Sequence, residues 1–260
     1  MKKALTDALN SINACYGAGT VTTGADMPPM GFLSTRSAAL NDLLGGGLPK
    51  GQIVEIYGQE GVYENTLALE LARAAEMPLY ITPGEMPSAY ELKGWRGLSV
   101  ARPDTLEDAL AMVETAAEAF DLIILASYPA FPTREDSCNK LDTQQGSGAG
   151  RVLSQCLGRL KLRLAATGCV LVIVNQLRIN RRLLVNQEKT PGGRALKSFE
   201  AVQLRADSYA PLSDGGEQVG HRVRVSVMKN KYAPPFRSVE LEYSYIVGYV
   251  VNQRTIKRRK

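Results

Sequence analysis

The sequence has few of the residues from which metal centres, catalytic triads and disulfide frameworks are built. Among 260 residues there is one histidine, His221, and one tryptophan, and aromatic residues make up 7%. A single histidine argues against histidine-based metal sites and catalytic triads. The four cysteines, Cys15, Cys138, Cys156 and Cys169, lie far apart without CxxC spacing. We therefore expect reduced thiols and neither a disulfide framework nor a zinc site.

Long apolar runs are also missing. The longest, 122–126 and 169–174, have the length of strands, so we expect no transmembrane helix. No apolar segment follows the first charged residues, so we expect no secretory signal and a cytoplasmic, nucleoid-associated protein, in the host cytoplasm if phage-encoded. The formal net charge of +5, with a pI near 9.0, mildly favours a polyanionic partner.

The remaining composition, 45% hydrophobic and 22% charged, is that of a globular protein with one large domain and small appendages. Three segments are predicted: an N-terminal oligomerisation arm at 1–30, a core domain at 31–250 and a basic tail at 251–260. In the arm, apolar residues between Ala4 and Ile12 recur at helical spacing, and an extended piece follows at 20–23. This helix packs either on its own domain or on a neighbouring subunit.

Within the core, strand and helix patterns alternate. Strands are predicted at 53–57, 79–82, 122–125 and 170–174, and helices at 66–76, 105–120, with Asp104 as N-cap, and 148–166. Continuous apolar strands separated by helices predict a mainly parallel sheet covered on both faces, hence an α/β fold. Beyond residue 200 only strands are predicted, at 202–205, 222–228 and 238–243, with a hairpin turn at 213–216. This part predicts an antiparallel extension.

The segment 58–66 joins a strand to a helix, which is the position of a P-loop. A working P-loop needs glycine, lysine and then serine or threonine, and these positions hold Tyr63, Glu64 and Asn65. A carboxylate beside phosphate costs roughly 4 kcal/mol per charge pair at about 4 Å and an effective dielectric near 20. The strand at 122–125 ends in Ala126, where an acid would orient magnesium. We therefore expect that ATP and magnesium binding is lost and that no metal or other cofactor is bound.

Several longer segments resemble the bacterial RecA recombinase family. They are Gly46–Gly58, Arg102–Thr105, Asn175–Arg178, Thr190–Lys197 and Lys229–Phe236. The resemblance extends from residue 1 to about 245, and we expect the family's small C-terminal domain to be absent, with the basic tail in its place. It implies a RecA-type P-loop NTPase core with an N-terminal helix–strand arm, ATP-driven filaments on single-stranded DNA, and strand exchange.

This chain departs from the family at the nucleotide site. At the position of the family's catalytic glutamate stands Gly84, and Glu85, one place later, is the remaining candidate. Tyr90 matches the tyrosine that stacks on adenine in the family. The alternative is that Tyr90 only packs against other residues of this protein. With Glu64, Asn65 and Ala126 at degenerate positions, we expect no catalytic residue.

The resemblance also implies a DNA site formed by two loops, 132–146 and 178–193. The implied contacts are Arg151, Ser154, Arg178, Ile179, Arg181, Arg182, Gly192 and Gly193, with Leu183 or Leu184 as alternatives to Ile179 for an apolar wedge between bases. Arginines supply charge and counterion release, although three arginines in a loop also suit a solvated surface. The family's second DNA site is basic, whereas this chain has Asp207, Ser208 and Ser226 there, which argues against full strand exchange.

Subunit contacts are implied for Gln176, Lys197, Lys229 and Lys231. In the family, the last two lysines reach the neighbour's ATP. We predict that Glu64 replaces that anion and pairs with Lys229 or Lys231 of a neighbour. The alternative is that the lysines are ordinary surface residues and that Glu64 lies on a solvated helix start, where its charge suits the helix dipole.

Three functions follow from these patterns. The first is an ATPase-deficient RecA-like protein that forms nucleotide-independent filaments on single-stranded DNA in recombination and repair. The second is a regulatory or accessory subunit that co-polymerises with or inhibits an active RecA, or serves a mutagenic polymerase. The third is a residual ATPase that uses an altered loop.

Overall fold

The computed structural model describes residues 2–27, 29–58, 63–84, 86–92, 94–138, 148–180, 187–246, 248–250 and 257–258. The chain divides into two compact units, 1–31 and 32–260. Within the described residues, no helix is both long enough and apolar enough to cross a membrane.

The first unit contains helix α1, Lys2–Tyr16, which confirms the predicted helix. The segment 20–23 pairs with no strand in the described residues, so the predicted extended piece is not a strand here. Its backbone bonds to the end of α1 instead. The Asn13 side chain donates to the carbonyl of Val21 (3.0 Å) and accepts from its N–H (2.9 Å), and the Thr20 hydroxyl donates to the carbonyl of Tyr16.

The second unit contains the remaining elements. Its helices are α2 Ala38–Leu44, α3 Tyr63–Ala72, α4 Ala89–Leu92, α5 Leu106–Ala116, α6 Arg134–Cys138, α7 Gly148–Thr167 and α8 Gly193–Phe199, with a 3₁₀ turn at Tyr128–Ala130. Its strands are β1 Phe32–Leu33, β2 Leu48–Pro49, β3 Ile53–Gly58, β4 Pro78–Ile81, β5 Ser99–Ala101, β6 Leu122–Leu125, β7 Val170–Gln176, β8 Arg178–Asn180, β9 Gln187–Lys189, β10 Val202–Asp214, β11 Glu217–Asn230, β12 Arg237–Ser244, β13 Gly248–Val250 and β14 Lys257–Arg258.

A ten-stranded sheet organises this unit. Its order is β13-β12-β11-β10-β3-β7-β6-β4-β5, and β14 also pairs with β12. The strands from β10 to β5 pair in parallel, and those from β10 to β13 pair antiparallel. The predicted α/β fold with a mainly parallel sheet and an antiparallel extension is confirmed.

Alternate strand residues bury the two faces of the sheet. Val54 and Ile56 of β3 belong to a core that includes α2 and α3, whereas Ile53 belongs to a core on the other face that includes α5, α7 and α8. The apolar strands are therefore covered on both sides, as their sequence predicted.

Several element ends differ from the prediction. Helix α3 spans Tyr63–Ala72 where 66–76 was predicted, and α5 ends at Ala116 and not at 120. Helix α5 is capped by Thr105 and not by Asp104, because the Thr105 hydroxyl accepts from the Asp108 N–H (3.3 Å) and donates to its carboxylate (2.6 Å). The β10–β11 strands continue well beyond the predicted apolar cores. They meet at a turn in which Gly215 and Gly216 have φ of 58° and 92°, as a two-residue turn of the I′ type requires.

Candidate functional site

A cavity of about 290 Å³ lies at the carboxyl edge of the parallel strands, beyond the ends of β4 and β6. In α/β sheets this edge is the usual place for a ligand. The cavity is lined by Asn65, Tyr80, Thr82, Pro83, Gly84, Met86, Pro87, Ser88, Glu91, Ala126, Ser127 and Ala130.

The charge of this cavity does not suit a phosphate. Among the described lining residues the only charged side chain is Glu91, and none is lysine or arginine. The Glu91 carboxylate is already used locally, since it accepts from the N–H (2.7 Å) and the hydroxyl (2.9 Å) of Ser88. Burial, and secondly the charge of Glu91, raise the pKa of Tyr80, so its phenol stays neutral.

Tyr63 begins helix α3 and is buried. Its ring packs edge-on against that of His221 on β11, with 5.5 Å between the ring centres. His221 is held in turn by the Tyr245 hydroxyl, 2.7 Å from its Nε2, and by the Ser208 hydroxyl, 3.2 Å from its Nδ1. The β10–β11 hairpin is thus anchored on the residue that replaces a P-loop glycine.

Glu64 follows in the first turn of α3 and is 0% exposed. A Cβ atom at Gly58 would come within 2.9 Å of Glu64 Oε2 and 2.4 Å of the Ala206 carbonyl oxygen. Any residue other than glycine at the end of β3 would therefore collide with the Glu64 carboxylate or with β10. The alternative of a solvated helix start is therefore wrong. A direct contact between Glu64 and a neighbour's lysine would also require the surrounding side chains to move.

The other degenerate positions lie at the cavity. Asn65 lines it, and Ala126 is buried, with its N–H donating to the carbonyl of Ile81 (2.8 Å). Ser127 adopts a left-handed backbone conformation, and its hydroxyl accepts from the amide of Gln176 at 3.4 Å. The described residues offer neither the lysine nor the acid that a magnesium nucleotide needs here, so the site does not fit that group.

Two nucleotide-site candidates fall outside this description. Glu85 lies outside the described residues, as does the side chain of Tyr90, whose backbone belongs to α4. Among the residues that the structure does describe, no group of three histidine, cysteine, aspartate or glutamate side chains is arranged to hold a metal ion.

The first predicted DNA-contact pair lies on the exposed face of α7. The Arg151 guanidinium makes a 2.5 Å ion pair with Glu135, and the Ser154 hydroxyl donates to the carbonyl of Gly150 (2.7 Å). Both side chains are three residues apart on one helical face, so they point to the same side. A phosphate would have to compete with Glu135 for Arg151.

Gly192 is the N-cap of α8 and Gly193 is the first residue of this helix. Both glycines have positive φ, 99° and 60°. A Cβ at Gly192 would lie 3.1 Å from Leu196 and 3.5 Å from Leu153 of α7, whereas no atom lies within 4 Å of the corresponding position at Gly193. The turn therefore packs against the helix that carries Arg151 and Ser154, and it leaves Gly193 open on its outer side.

The second loop is described only in part. Arg178 and Ile179 belong to β8, which pairs with β9 in a short antiparallel ladder, and nothing is described of their side chains. Arg181 and Arg182 lie outside the described residues, as do the alternative wedge residues Leu183 and Leu184.

On the antiparallel strands, charges are paired. Arg205 lies 2.6 Å from Asp207, and Arg224 lies 3.2 Å from Glu240. Ser226 stands opposite Arg205 in the β10–β11 ladder. This face is therefore close to neutral where a second, basic DNA site was in question.

Three of the predicted interface residues, Lys197, Lys229 and Lys231, lie near the end of β11, whereas Gln176 lies level with the end of β3. Lys229 donates to the carbonyl of Lys197 on α8 and lies 3.6 Å from Glu200. Lys231 follows directly after the strand, and the exposed Gln176 ends β7. Lys229 thus has partners within its own protomer.

Sequence reasoning missed a buried polar network behind these lysines. Glu55 in the middle of β3 and Glu200 after α8 are 0% and 1% exposed. Glu55 accepts from the side-chain amides of Asn175 (2.6 Å) and Gln203 (2.5 Å), and the Asn175 amide also donates to the carbonyl of Pro191 (2.8 Å). One signal was visible: a glutamate inside the apolar run 53–57 cannot stay buried without partners.

Comparison with known proteins gives one family. Residues 3–250 match the family described as the RecA N-terminal domain. Protein RecA of Frankia alni is 36% identical, covering 94% of this chain and 74% of its own length, and a Protein RecA of Thermus thermophilus is 38% identical, covering 93% and 75%. The crystal structure of the RadB recombinase is similar in fold, with a TM-score of 0.61 and 18% identity over 84% of this chain and 98% of that one.

Proposed function

Because the chain belongs to the RecA family, we propose that it is an ATPase-deficient member that forms nucleotide-independent filaments and binds single-stranded DNA. The family connects the chain with DNA recombination and repair, and with single-stranded DNA binding and filament formation in general. The proposal concerns how this particular chain does so without a nucleotide.

One observation carries the proposal: a buried carboxylate, Glu64, stands where the phosphate-binding lysine is needed. The cavity beside it offers a further carboxylate and, among its described lining, no cation. Bringing in a nucleotide would place its phosphates beside two carboxyl groups, in a partly desolvated site where no described lining residue is a cation. ATP is therefore not bound with useful affinity, and neither is magnesium.

DNA binding is assigned to the face that combines α7 with the Gly192–Gly193 turn. Arg151 and Ser154 are exposed there, and the turn packs against the same helix. The arginines at 178, 181 and 182 add charge from the second loop. Each arginine on a phosphate contributes affinity that falls with salt, so binding is salt-sensitive and weakly dependent on base sequence.

Self-assembly is assigned to Lys197, Lys229 and Lys231 near the end of β11, to Gln176 at the end of β7 and, separately, to the N-terminal arm. Glu64 contributes by what it replaces: it is buried and carries no positive charge, so it does not repel the lysines that a neighbour brings to the interface. A lysine at the same place would repel them. The filament is then stable without a nucleotide.

The test is direct observation of the full chain with no nucleotide added. Negative-stain microscopy with and without single-stranded DNA is expected to show filaments, and fluorescence anisotropy to show DNA binding that weakens with salt. A variant in which Arg178, Arg181 and Arg182 are all alanine is expected to lose most of that binding. Unchanged binding in this variant would place the DNA elsewhere.

Isothermal calorimetry tests the proposal that the protein does not bind ATP with magnesium. No heat of binding is expected for ATP with magnesium, whereas affinity in the micromolar range would support a residual ATPase with an altered loop and would overturn the proposal.

A second candidate function is favoured by the nearly neutral face of β10 and β11. With Arg205 and Arg224 paired to acids, this face is poorly suited to hold a second DNA strand. The chain would then act as an accessory subunit that joins or caps filaments of an active RecA, or serves a polymerase. Co-sedimentation with an active RecA, with and without DNA, separates this role from self-assembly.

A further inference from the structure

Glu55 of β3 and Glu200, the residue after α8, are two buried carboxyl groups that interact electrostatically; we call them the acid pair. Both oxygens of Glu55 accept hydrogen bonds from amides, those of Asn175 and Gln203, and the Glu200 oxygen Oε2 is buried with no hydrogen-bond partner among the described residues. Two neighbouring carboxyl groups with so little contact with water are costly to ionise together, so the pair retains a proton that an exposed pair would lose.

Lys229 lies at the border between the acid pair and solvent. Its ammonium group is 3.6 Å from Glu200 Oε1, and its side chain is 30% exposed. Lys231 is the other cation that faces Glu200. Burial lowers the pKa of Lys231, the nearby Lys161 of α7 lowers it further, and Glu200 raises it. Among the described residues, the cations that act on Glu200 are thus Lys229 and Lys231 near the end of β11, and Lys161 of α7 acts on Lys231.

We propose that the acid pair is a proton-operated switch for Lys229. When the pair carries its proton, it binds the Lys229 ammonium group weakly, and Lys229 can contact a second copy of this chain. When Glu200 is ionised, it binds Lys229 within the same protomer, and that contact between subunits is weakened. This inference rests on the proposed function, in which Lys229 serves the contact between subunits.

The direction of the effect follows from the pKa of Glu200, which is raised to about 9. Burial is the main cause, Glu55 acts in the same direction, and Lys229 opposes it. At neutral pH Glu200 is therefore protonated. When Lys229 leaves for a neighbour, the group that lowers the pKa of Glu200 is gone, so the assembled state binds this proton more tightly. Assembly is then independent of pH near neutrality and weakens as the pH rises through about 9.

The experiment measures assembly of the full chain by sedimentation and light scattering between pH 7 and 9.5, without nucleotide or DNA. The wild-type protein is expected to assemble equally at pH 7 and 8 and then to lose up to about tenfold in association constant per pH unit, the limit for one proton. Glu200→Gln is expected to remove most of this dependence. The matched control is Glu118→Gln, an exposed acid on the protein surface, which is expected to follow the wild type.

A second variant, Glu55→Gln, is expected to shift the pH at which assembly weakens without abolishing the pH dependence. Glu55→Gln takes away a neighbour that raises the pKa of Glu200, so the fall in assembly is expected at lower pH than in the wild type. Adding Glu200→Gln to this variant is expected to restore assembly. A merely structural role of the pair predicts no such rescue. Near-UV circular dichroism checks that each variant is folded, and Glu200→Gln alone decides the question if Glu55→Gln is not.

The outcomes separate the two claims. Assembly that is pH-independent in the wild type, or that falls equally in the wild type and Glu200→Gln, overturns the switch and leaves the proposed function standing. Absence of assembly at every pH overturns both.

Discussion

Glu64 lies in the first turn of α3, where the positive end of the helix dipole favours a carboxylate. At the corresponding position a phosphate-binding loop needs a cation that reaches outwards. The residue in this chain is instead fully enclosed, between Gly58 and the start of the helix. Replacing Glu64 by lysine does not recreate a nucleotide site, because the enclosed space holds a side chain that is shorter than lysine.

Glu64→Lys is therefore expected to destabilise the fold without restoring ATP binding. Enclosing an ammonium group without an acid partner costs about 2 kcal/mol or more in unfolding free energy. Urea denaturation measures the loss, and calorimetry is expected to show no ATP binding, since Ala126 still leaves magnesium without an acid. Glu64→Gln, which keeps the volume, is the matched control and is expected to lose less. Micromolar ATP affinity in Glu64→Lys would contradict the account of this site.

The raised pKa of Glu200 predicts how the stability of the protein changes with pH. Its pKa is about 9 in the folded protein against an ordinary 4.5, so the folded state binds more protons than the unfolded state between these values. Stability from this group is present below pH 4.5 and is lost as the pH rises towards 9, with a limiting slope of about 1.4 kcal/mol per pH unit. Glu200→Gln is expected to flatten the pH dependence of the unfolding free energy over this window. Parallel curves for the two proteins would show that Glu200 titrates normally.

Helix α7 joins the two parts of the proposed DNA surface. Its outer face carries Arg151 and Ser154, and its inner face packs Leu153 beneath the Gly192 turn. The helix therefore fixes the distance between a side-chain contact and a backbone contact to DNA. Among the described residues, Glu135 of α6 competes with DNA for Arg151, because it holds the guanidinium in an exposed ion pair.

Opposite effects are expected from the two partners of this ion pair. Arg151→Ala is expected to weaken single-stranded DNA binding for all base sequences and to flatten the salt slope by nearly one unit. Glu135→Gln is expected to strengthen binding by a few fold, because an exposed ion pair is worth at most about 1 kcal/mol and its loss frees the guanidinium. Anisotropy titrations at several salt concentrations measure both. Equal affinity of the two variants would exclude Arg151 from the DNA site.

The elements show where sequence reasoning succeeded and where it stopped. Strand β6 was predicted at its true bounds because four apolar residues buried on both faces leave a continuous signal. The β10–β11 hairpin was predicted too short, since its outer half is held by ladder hydrogen bonds between polar residues that carry no hydrophobic pattern. The departures from a P-loop could be predicted from the sequence alone, because a P-loop requires one particular residue type at each of these positions. The acid pair was not, because its members lie 145 positions apart (200 − 55) and meet only in the folded sheet.

The first 31 residues are a compact unit of their own, and among the described residues both hydrophobic cores are built from side chains of 32–260. The helix of this unit exposes large apolar side chains, among them Leu5 and Tyr16. We assign this unit to assembly and the remainder to stability.

Deletion of residues 1–31 is accordingly expected to leave a folded, monomeric protein. Circular dichroism and thermal melting are expected to match the full chain under conditions where it does not assemble, and light scattering to show no filaments. Leu5→Asp is the companion variant that keeps the full length, and it is expected to weaken assembly. Filaments formed normally by the deletion variant would contradict the assignment.

The central strand also determines when this protein can fold. Strand β3 is paired on one side with β7 and on the other with β10, so Glu55 finds its partners Asn175 and Gln203 only 120 and 148 residues later in the chain. Such distant pairings are slow to form. During synthesis, the apolar β3 must wait, with both edges open, until most of the chain has left the ribosome. The middle of the sheet is therefore closed only after β10 has been synthesised, although its central strand is among the first to be made.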